Sequence, residues 1–364
     1  MKSFFERYLL PGFVFQSVVI AGGYGTGREL AEFFLSHGPL GGLLAMAVST
    51  AIWSAVCAAS FELARMYRSY DYRTFFRHLL GRGWFLYEIC YFGMLLIVAA
   101  VIAAAAGTIL EETLGLPYAF GVTAMMAAVG LLAFEGSGVI EKFMAGWSFV
   151  LYAVYLAFFA WGFARFGDDI LAALGTGGRG IGWVMGGVKY AGYNLALIPA
   201  LLFAVRHVEA RREALGAGLL AGPIAIIPGA LFYLVMTGQY PAILDAPVPA
   251  NVLLERLGSR SFQFLFQIVL FGTLIETGTG MLHGLNERIA TRRRERGLAM
   301  PKWVRPAVAL AFLAAGGMTA RFGLINLIAG GYGTLTWFFL LVFVIPVLTL
   351  GVWRIATFRE KTAP

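Results

Sequence analysis

Charge is scarce in this chain. Asp, Glu, Lys and Arg make up 13% of its 364 residues, against roughly 25% in a soluble domain. Cysteine is almost missing. Cys57 and Cys90 are the two present; both fall inside apolar runs and read as small packing residues rather than a disulfide. The four histidines are scattered without metal-ligand spacing, so no metal centre of that type is expected. No His-Glu-x-x-His, Gly-x-Ser-x-Gly or paired-Asp motif occurs, which argues against a membrane-embedded enzyme. A small-residue cleavage site is lacking too. The apolar stretch after Arg7 runs into a glycine cluster, so it is read as a span and not as a cleaved signal.

What the chain has instead is apolar surface. Hydrophobic residues are 59% of it and mean hydropathy is +0.77. A soluble core of this length has no room for so much, so the expected partner is a lipid bilayer. The net charge of +8 does not point to nucleic acid, because topology accounts for it. Ten runs are long and apolar enough to span: 8–36, 39–67, 83–111, 117–134, 138–165, 186–206, 213–236, 261–287, 303–320 and 324–354. Helix stops such as His37-Gly-Pro39 and Gly115-Leu-Pro117 separate them. With the N-terminus inside, one face receives Lys2, Arg7, Arg65 to Arg82, Lys142, Arg206 to Arg212, Arg288 to Arg305 and Arg354 to Lys361. The other receives Arg165, Arg179, Arg256, Arg260 and Arg321. This asymmetry predicts a multi-pass protein of the bacterial cytoplasmic membrane with both termini cytoplasmic. The loop 237–260 is proline-rich and is expected to carry a short helix. Segment 70–80 is expected to lie at the interface as an amphipathic helix.

Span one contains Ala21-Gly22-Gly23-Tyr24-Gly25-Thr26-Gly27-Arg28-Glu29. Each helical glycine costs roughly 1 kcal/mol against alanine. Thr26 and Glu29 have the spacing of a capping box, which belongs at a helix start. The spacing predicts a helix that stops near Gly22 and restarts near Gly27. Its restart would offer N–H groups to an anion, and its first half carbonyls to a cation. A glycine seam for tight packing is the plain alternative. Span six carries Gly192-Tyr193-Asn194 and Pro199, either a second interruption or a proline kink. Interruptions at corresponding places in two halves point to a site between them.

Span eight carries Thr273, Glu276, Thr277, Gly280, His283, Gly284 and Glu287 on one helical face. A carboxyl in mid-span costs roughly 2.5–3.5 kcal/mol to insert, so Glu276 is a candidate coupling residue, carrying H⁺ or holding Na⁺ with Thr277. A structural pair with Lys189 or Arg28 is the alternative. Glu29 has capping as its alternative role, and Arg28 and Glu32 have the spacing of a surface pair. Glu62 and Glu88 are expected to answer Arg65 or Arg82. Ala21-Gly-Gly-Tyr-Gly-Thr26 recurs as Ala329-Gly-Gly-Tyr-Gly-Thr334, for which the sequence offers no firm reason beyond close packing.

Gly23-Tyr-Gly-Thr-Gly-Arg-Glu29 with Phe33-Phe34, Tyr190-Ala-Gly-Tyr-Asn-Leu-Ala196 and Gly284-Leu-Asn-Glu-Arg288 resemble motifs of the YkvI-like bacterial membrane proteins. That family looks like a branch of the amino acid–polyamine–cation superfamily. Gly138-Val-Ile-Glu-Lys142 is similar to a loop of neurotransmitter–sodium symporters. The resemblance implies an all-α polytopic protein: ten transmembrane helices in a LeuT-like 5+5 inverted repeat, with helices 1 and 6 discontinuous. It implies one transporter domain, its halves about 8–165 and 186–354.

The implied function is secondary-active symport, by alternating access, of an amino acid or related small amine-bearing solute. Gly22, Gly23, Tyr24, Gly25, Thr26, Gly27, Tyr193 and Asn194 are the candidate substrate-binding residues. Ala21, Thr273, Glu276 and Thr277 are the candidate ion-coupling residues, and Arg28, Glu29, Glu32 and Lys189 the candidate gating residues. Glu276 replaces the hydroxyl usual in Na⁺ symporters, which keeps H⁺ open beside Na⁺. No carboxylate in span ten stands ready to pair with Arg28. A non-transporting ligand sensor on the same fold is the alternative function.

Overall fold

The structure, a computed structural model, describes residues 3–20, 24–134, 137–295, 297–299, 301 and 303–358. Among these the chain is helical, with no strand. In order the helices are α1 (Leu10–Val19), α2 (Arg28–Phe33), α3 (Pro39–Tyr67), α4 (Tyr72–Leu80), α5 (Trp84–Leu114), α6 (Tyr118–Phe134), α7 (Ser137–Gly175), α8 (Trp183–Leu195) and α9 (Ile198–Leu201). Then follow α10 (Arg211–Thr237), α11 (Pro249–Leu257), α12 (Arg260–Glu295), α13 (Val304–Ala320), α14 (Leu324–Asn326), α15 (Gly333–Phe339) and α16 (Val352–Thr357). Wide helical turns at Leu327–Tyr332, Leu340–Val344 and Val347–Gly351 lie between α14 and α16.

Among the described residues, six stretches are long and apolar enough to cross a membrane: Pro39–Tyr67, Tyr72–Leu114, Phe149–Gly175, Arg211–Thr237, Arg260–Ala290 and Leu324–Thr357. Two shorter apolar helices, Tyr118–Leu132 and Val304–Ala320, accompany them. Their outward faces are greasy: Leu131, Phe149 and Leu171 are 70%, 81% and 70% exposed. Such broad apolar exposure belongs against lipid. The start signals act where they stand. Pro39 opens α3 behind Gly38, and Gly115, left-handed, closes α5.

The most extensive helix pair among the described residues is α3 with α10, and small residues bring it together. A Cβ at Gly218 would overlap the backbone of Ala58 and Cys57. The Ser54 hydroxyl donates to Leu219 O at 2.8 Å, and Tyr233 donates to Pro39 O at 2.7 Å. In a bilayer, where lipid is as apolar as leucine, close packing and such bonds supply the association.

The two segments singled out between spans are helical. α4 starts on an Asp71 cap that accepts from Thr74 N at 2.9 Å, and it buries Phe75, Phe76 and Leu79. α11 is the short helix of the 237–260 loop. Glu62 pairs with Arg65 at 2.7 Å, as expected. Glu88 departs from expectation: it accepts from the Tyr72 hydroxyl at 3.0 Å, because α4 folds back over the start of α5. Arg7 fastens the chain start to Glu213 at 2.7 Å.

The α3–α10 contact gives a stability test. Gly218→Leu has no room without separating the helices, and overpacking of this kind costs about 1–3 kcal/mol. Thermal unfolding of the detergent-purified variant is expected several degrees lower; an unchanged midpoint would show that the pair tolerates separation.

Candidate functional site

The chain from α1 to α2 leaves regular helical geometry where the glycines are. Ile20 and Tyr24 sit in wide turns, and Gly25, Thr26 and Gly27 are not helical. Ala21, Gly22 and Gly23 lie outside the described residues. Gly27 has φ 76°, a left-handed conformation that penalises any side chain. A Cβ there would also meet Phe232 and Pro249.

The capping box is not formed. The Thr26 hydroxyl accepts from Arg28 N at 3.2 Å, but Glu29 does not reach back to Thr26. The left-handed turn makes Gly27 the cap and puts Glu29 in the first turn, aimed at α8. There its carboxylate accepts from the Tyr193 hydroxyl.

The α8–α9 interruption falls later than Gly192. α8 runs through Gly192 to Leu195, Ala196 and Leu197 form a turn, and Pro199 occupies the first turn of α9. The Ala196 carbonyl accepts from the buried Tyr87 hydroxyl at 2.8 Å. Gly192 serves packing: a Cβ there would press on Thr336, whose hydroxyl donates to Lys189 O at 2.8 Å.

A cavity of about 300 Å³ lies where these elements meet. It is lined by Ser17, Val18 and Val19 of α1, Glu29 of α2, Tyr91, Met94 and Val98 of α5, and Tyr193 and Asn194 of α8. Leu197, Leu201, Tyr332, and Glu276, Thr277, Gly280 and Met281 of α12 complete it. The Glu276 carboxyl faces this space and makes no hydrogen bond or ion pair among the described residues. The alternative reading, a structural pair with Arg28 or Lys189, is thus not what the fold builds. Thr277 Oγ1 donates to Thr273 O at 2.9 Å. Thr273 itself is turned away, 1% exposed, and its hydroxyl accepts from the Trp147 indole at 3.3 Å.

The two ends of the cavity differ. Toward the start of α1, Ser17 is exposed, and the α12 stripe continues past Gly280 to an exposed Gly284. At the other end Thr26, Arg28 and Glu29 are buried beneath the 237–260 loop. Arg28 donates to Leu244 O at 2.6 Å and Ala246 O at 3.1 Å and pairs with Glu32 at 2.8 Å. Ala250 N donates to Thr26 O at 3.0 Å. Asn251 fixes α11 in place, donating to Glu112 at 2.6 Å and accepting from Gln267 at 3.2 Å.

Of the substrate candidates, Tyr193 and Asn194 line the cavity. Tyr24, Gly25, Thr26 and Gly27 do not line it, and Gly22 and Gly23 are outside the described residues. Of the ion candidates, Glu276 and Thr277 line it, Thr273 does not, and Ala21 is outside the described residues. Of the gating candidates, Glu29 lines it, Arg28 and Glu32 tie down the loop, and Lys189 stands one turn before Tyr193.

Sequence reasoning missed Tyr91 and Tyr332. The repeated hexapeptide was the signal for the second. Tyr332 stacks on Tyr193 at 4.5 Å, and Tyr24, its counterpart, stacks on Tyr190 at 6.3 Å. The two copies thus grip two tyrosines three residues apart on α8.

No family model matches the chain. The chain is similar to the uncharacterised membrane protein YkvI of Bacillus subtilis (strain 168), 24% identical over 282 residues that cover 76% of this chain and 79% of the relative. Among solved structures it is similar to MhsT in complex with L-phenylalanine, with a TM-score of 0.60 and 15% identity over 97% of both chains. A weaker likeness, TM-score 0.45 and 15% identity over 92% of this chain and 74% of the other, links it to Mhp1, a nucleobase-cation-symport-1 family transporter in a closed conformation. The resemblance to YkvI-like proteins holds, and the fold is that of the LeuT-like membrane transporters.

The unequal ends predict a labelling pattern. With Cys57 and Cys90 replaced, cysteines at Ser17 or Gly284 are expected to react readily with a small charged thiol reagent. A cysteine at Thr26 is expected to react only once Arg28→Ala frees the loop. Equal reaction at all three would contradict the closed end.

Proposed function

We propose that the protein is an ion-coupled secondary-active transporter, working by alternating access on an amino acid or related small amine-bearing solute. On this reading ten spans form two inverted five-helix halves, about 8–165 and 186–354, within one transmembrane domain. The discontinuous first and sixth helices are α1–α2 and α8–α9. The observation that carries the reading is the cavity itself. It sits between both helix interruptions and the α12 stripe, accessible at one end and covered at the other. That is the arrangement alternating access requires of a midplane site.

The asymmetry of basic residues supports a bacterial cytoplasmic membrane location, both termini inside, with the 237–260 loop as the outer cover. The accessible end is then cytoplasmic. Tyr193, Asn194 and the α1 wall shape the solute site. Glu276 and Thr277 hold the coupling ion, H⁺ or Na⁺. Thr273 keeps its side chain in contact with Trp147 and leaves the ion to its neighbours. The likeness to MhsT, solved with L-phenylalanine, and the match to YkvI support a transporter rather than an enzyme.

Reconstituted uptake tests this. Glu276→Gln is expected to cut gradient-driven uptake by about 10- to 100-fold, the equivalent of ~1.5–3 kcal/mol for a hydrogen bond to a charged group. The dependence on pH or on Na⁺ should vanish with it, and whichever vanishes identifies the ion. Unchanged uptake with unchanged ion dependence would remove Glu276 from the coupling role. Ligand-induced stabilisation without any uptake would favour a sensor.

A further inference from the structure

The lining of the cavity has acidic side chains and no basic one. Two of its lining residues, Glu29 and Glu276, are carboxylic acids, and none is Lys, Arg or His. The nearby cations do not line it. Arg28 points into the 237–260 loop and Glu32. Arg288 lies between Tyr72 and Tyr91, 4.2 Å and 3.9 Å from the ring centroids. Lys189 is one turn from Tyr193 and does not line the space.

The restart of α2 does not supply an anion seat either. Its first N–H, that of Arg28, is taken by the Thr26 hydroxyl. The helix is six residues long, and none of Tyr24 to Gly27 lines the cavity. Among the described residues, a solute carboxylate would enter this site with no cationic side chain to meet it.

Glu29 is the more telling of the two acids. It is 2% exposed, and its partner is the Tyr193 hydroxyl, a neutral group. A buried carboxylate with a neutral partner is unstable until a cation or a proton joins it. Around it stand the Tyr193–Tyr332 stack and Tyr91, whose ring already carries Arg288 on one face; aromatic faces attract cations. Val18, Val19, Met94, Val98 and Met281 make the rest of the wall apolar.

We infer that Glu29 is the anchor for the solute's amine, and that the site selects organic cations, primary amines without a carboxylate, over amino acid zwitterions and organic acids. This rests on the cavity being the solute site proposed above. It moves Glu29 from gating to recognition, and it leaves Glu276 for the coupling ion.

Matched ligands test it: phenethylamine, phenylalanine and 3-phenylpropionate, and isoamylamine, leucine and 4-methylvalerate. Binding is read on the purified full chain by thermal shift and calorimetry, and transport by uptake into proteoliposomes. Amines are expected to bind at least roughly tenfold more tightly than their zwitterions, and acids not at all. Glu29→Gln, which keeps the side-chain shape, is expected to abolish that preference. Should Glu29→Gln not fold, carbodiimide modification of Glu29 in the unaltered protein, followed by mass spectrometry, is expected to slow when phenethylamine is bound.

Tighter binding of zwitterions or acids, failure of every amine to bind, or an amine affinity or labelling rate indifferent to Glu29 would overturn the inference. Amine binding without uptake would defeat the transporter reading and leave the inference standing. Zwitterion uptake without amine binding would do the reverse.

Discussion

Everything at this site follows from one constraint: backbone polar groups released from a helix inside a membrane must find partners within the protein. The α1–α2 and α8–α9 interruptions release such groups, and the fold answers each from a different element. Ala250 N of α11 reaches the Thr26 carbonyl. Tyr87 of α5 reaches Ala196 O. Carbonyls still inside α8 take further bonds: Thr336 of α15 donates to Lys189 O, and Ser49 and Trp53 of α3 donate to the carbonyls of Gly187 and Ala191 at 2.8 Å and 3.3 Å. α8 is therefore bound on several sides by side chains, and α1 is held along α10, where Gln16 donates to Ile224 O. The same bonds that make the interruptions tolerable also determine which end of the cavity is closed.

That closed end is a composite. The Arg28 guanidinium, nearly buried, has two carbonyls of the 237–260 loop and Glu32 as its partners. Asn251 joins the same loop to α5 and α12. A buried charge is costly without partners, and with Nε already lacking one, departure of the loop would leave Arg28 with Glu32 alone. Opening this end requires Arg28, Thr26 O and Asn251 to change partners together. The accessible end has no comparable lock among the described residues. Ser17 and Gly280, small residues that let a neighbour slide across, line the cavity there.

Much of this was legible in the sequence, because helix boundaries and membrane spans depend on local signals. Pro39, Gly115 and Gly258 end or begin helices where their chemistry says they should. The α12 stripe was readable from periodicity, and Glu276 does face the cavity. What failed to read were choices made between distant elements. Thr26 and Glu29 carry capping-box spacing, but one left-handed residue at Gly27 moves the cap and sends Glu29 to a tyrosine 164 positions away. Thr273 shares its helical face with Thr277, yet Trp147 from α7 claims its hydroxyl. Tyr332 announced itself through the repeated hexapeptide. Its meaning appears only when Tyr193 is laid against it.

On the proposed reading, two acids in one small cavity also explain how solute and ion would depend on each other. Two like charges roughly 8–15 Å apart at an effective dielectric of about 20 repel by about 1–2 kcal/mol. A cation at Glu276 removes that repulsion and lets Glu29 stay ionised for an ammonium group. An ammonium at Glu29 does the same for the ion at Glu276. Coupling is reciprocal by thermodynamic necessity, and typical couplings are about 1–3 kcal/mol. On this reading, electrostatics across the cavity would link the two sites without a relay through the rest of the fold. With either site empty, one carboxylate stays unneutralised in a low-dielectric space, and the α12 stripe has reason to remain open to water. With both filled, the cavity is neutral and its accessible end can close over it.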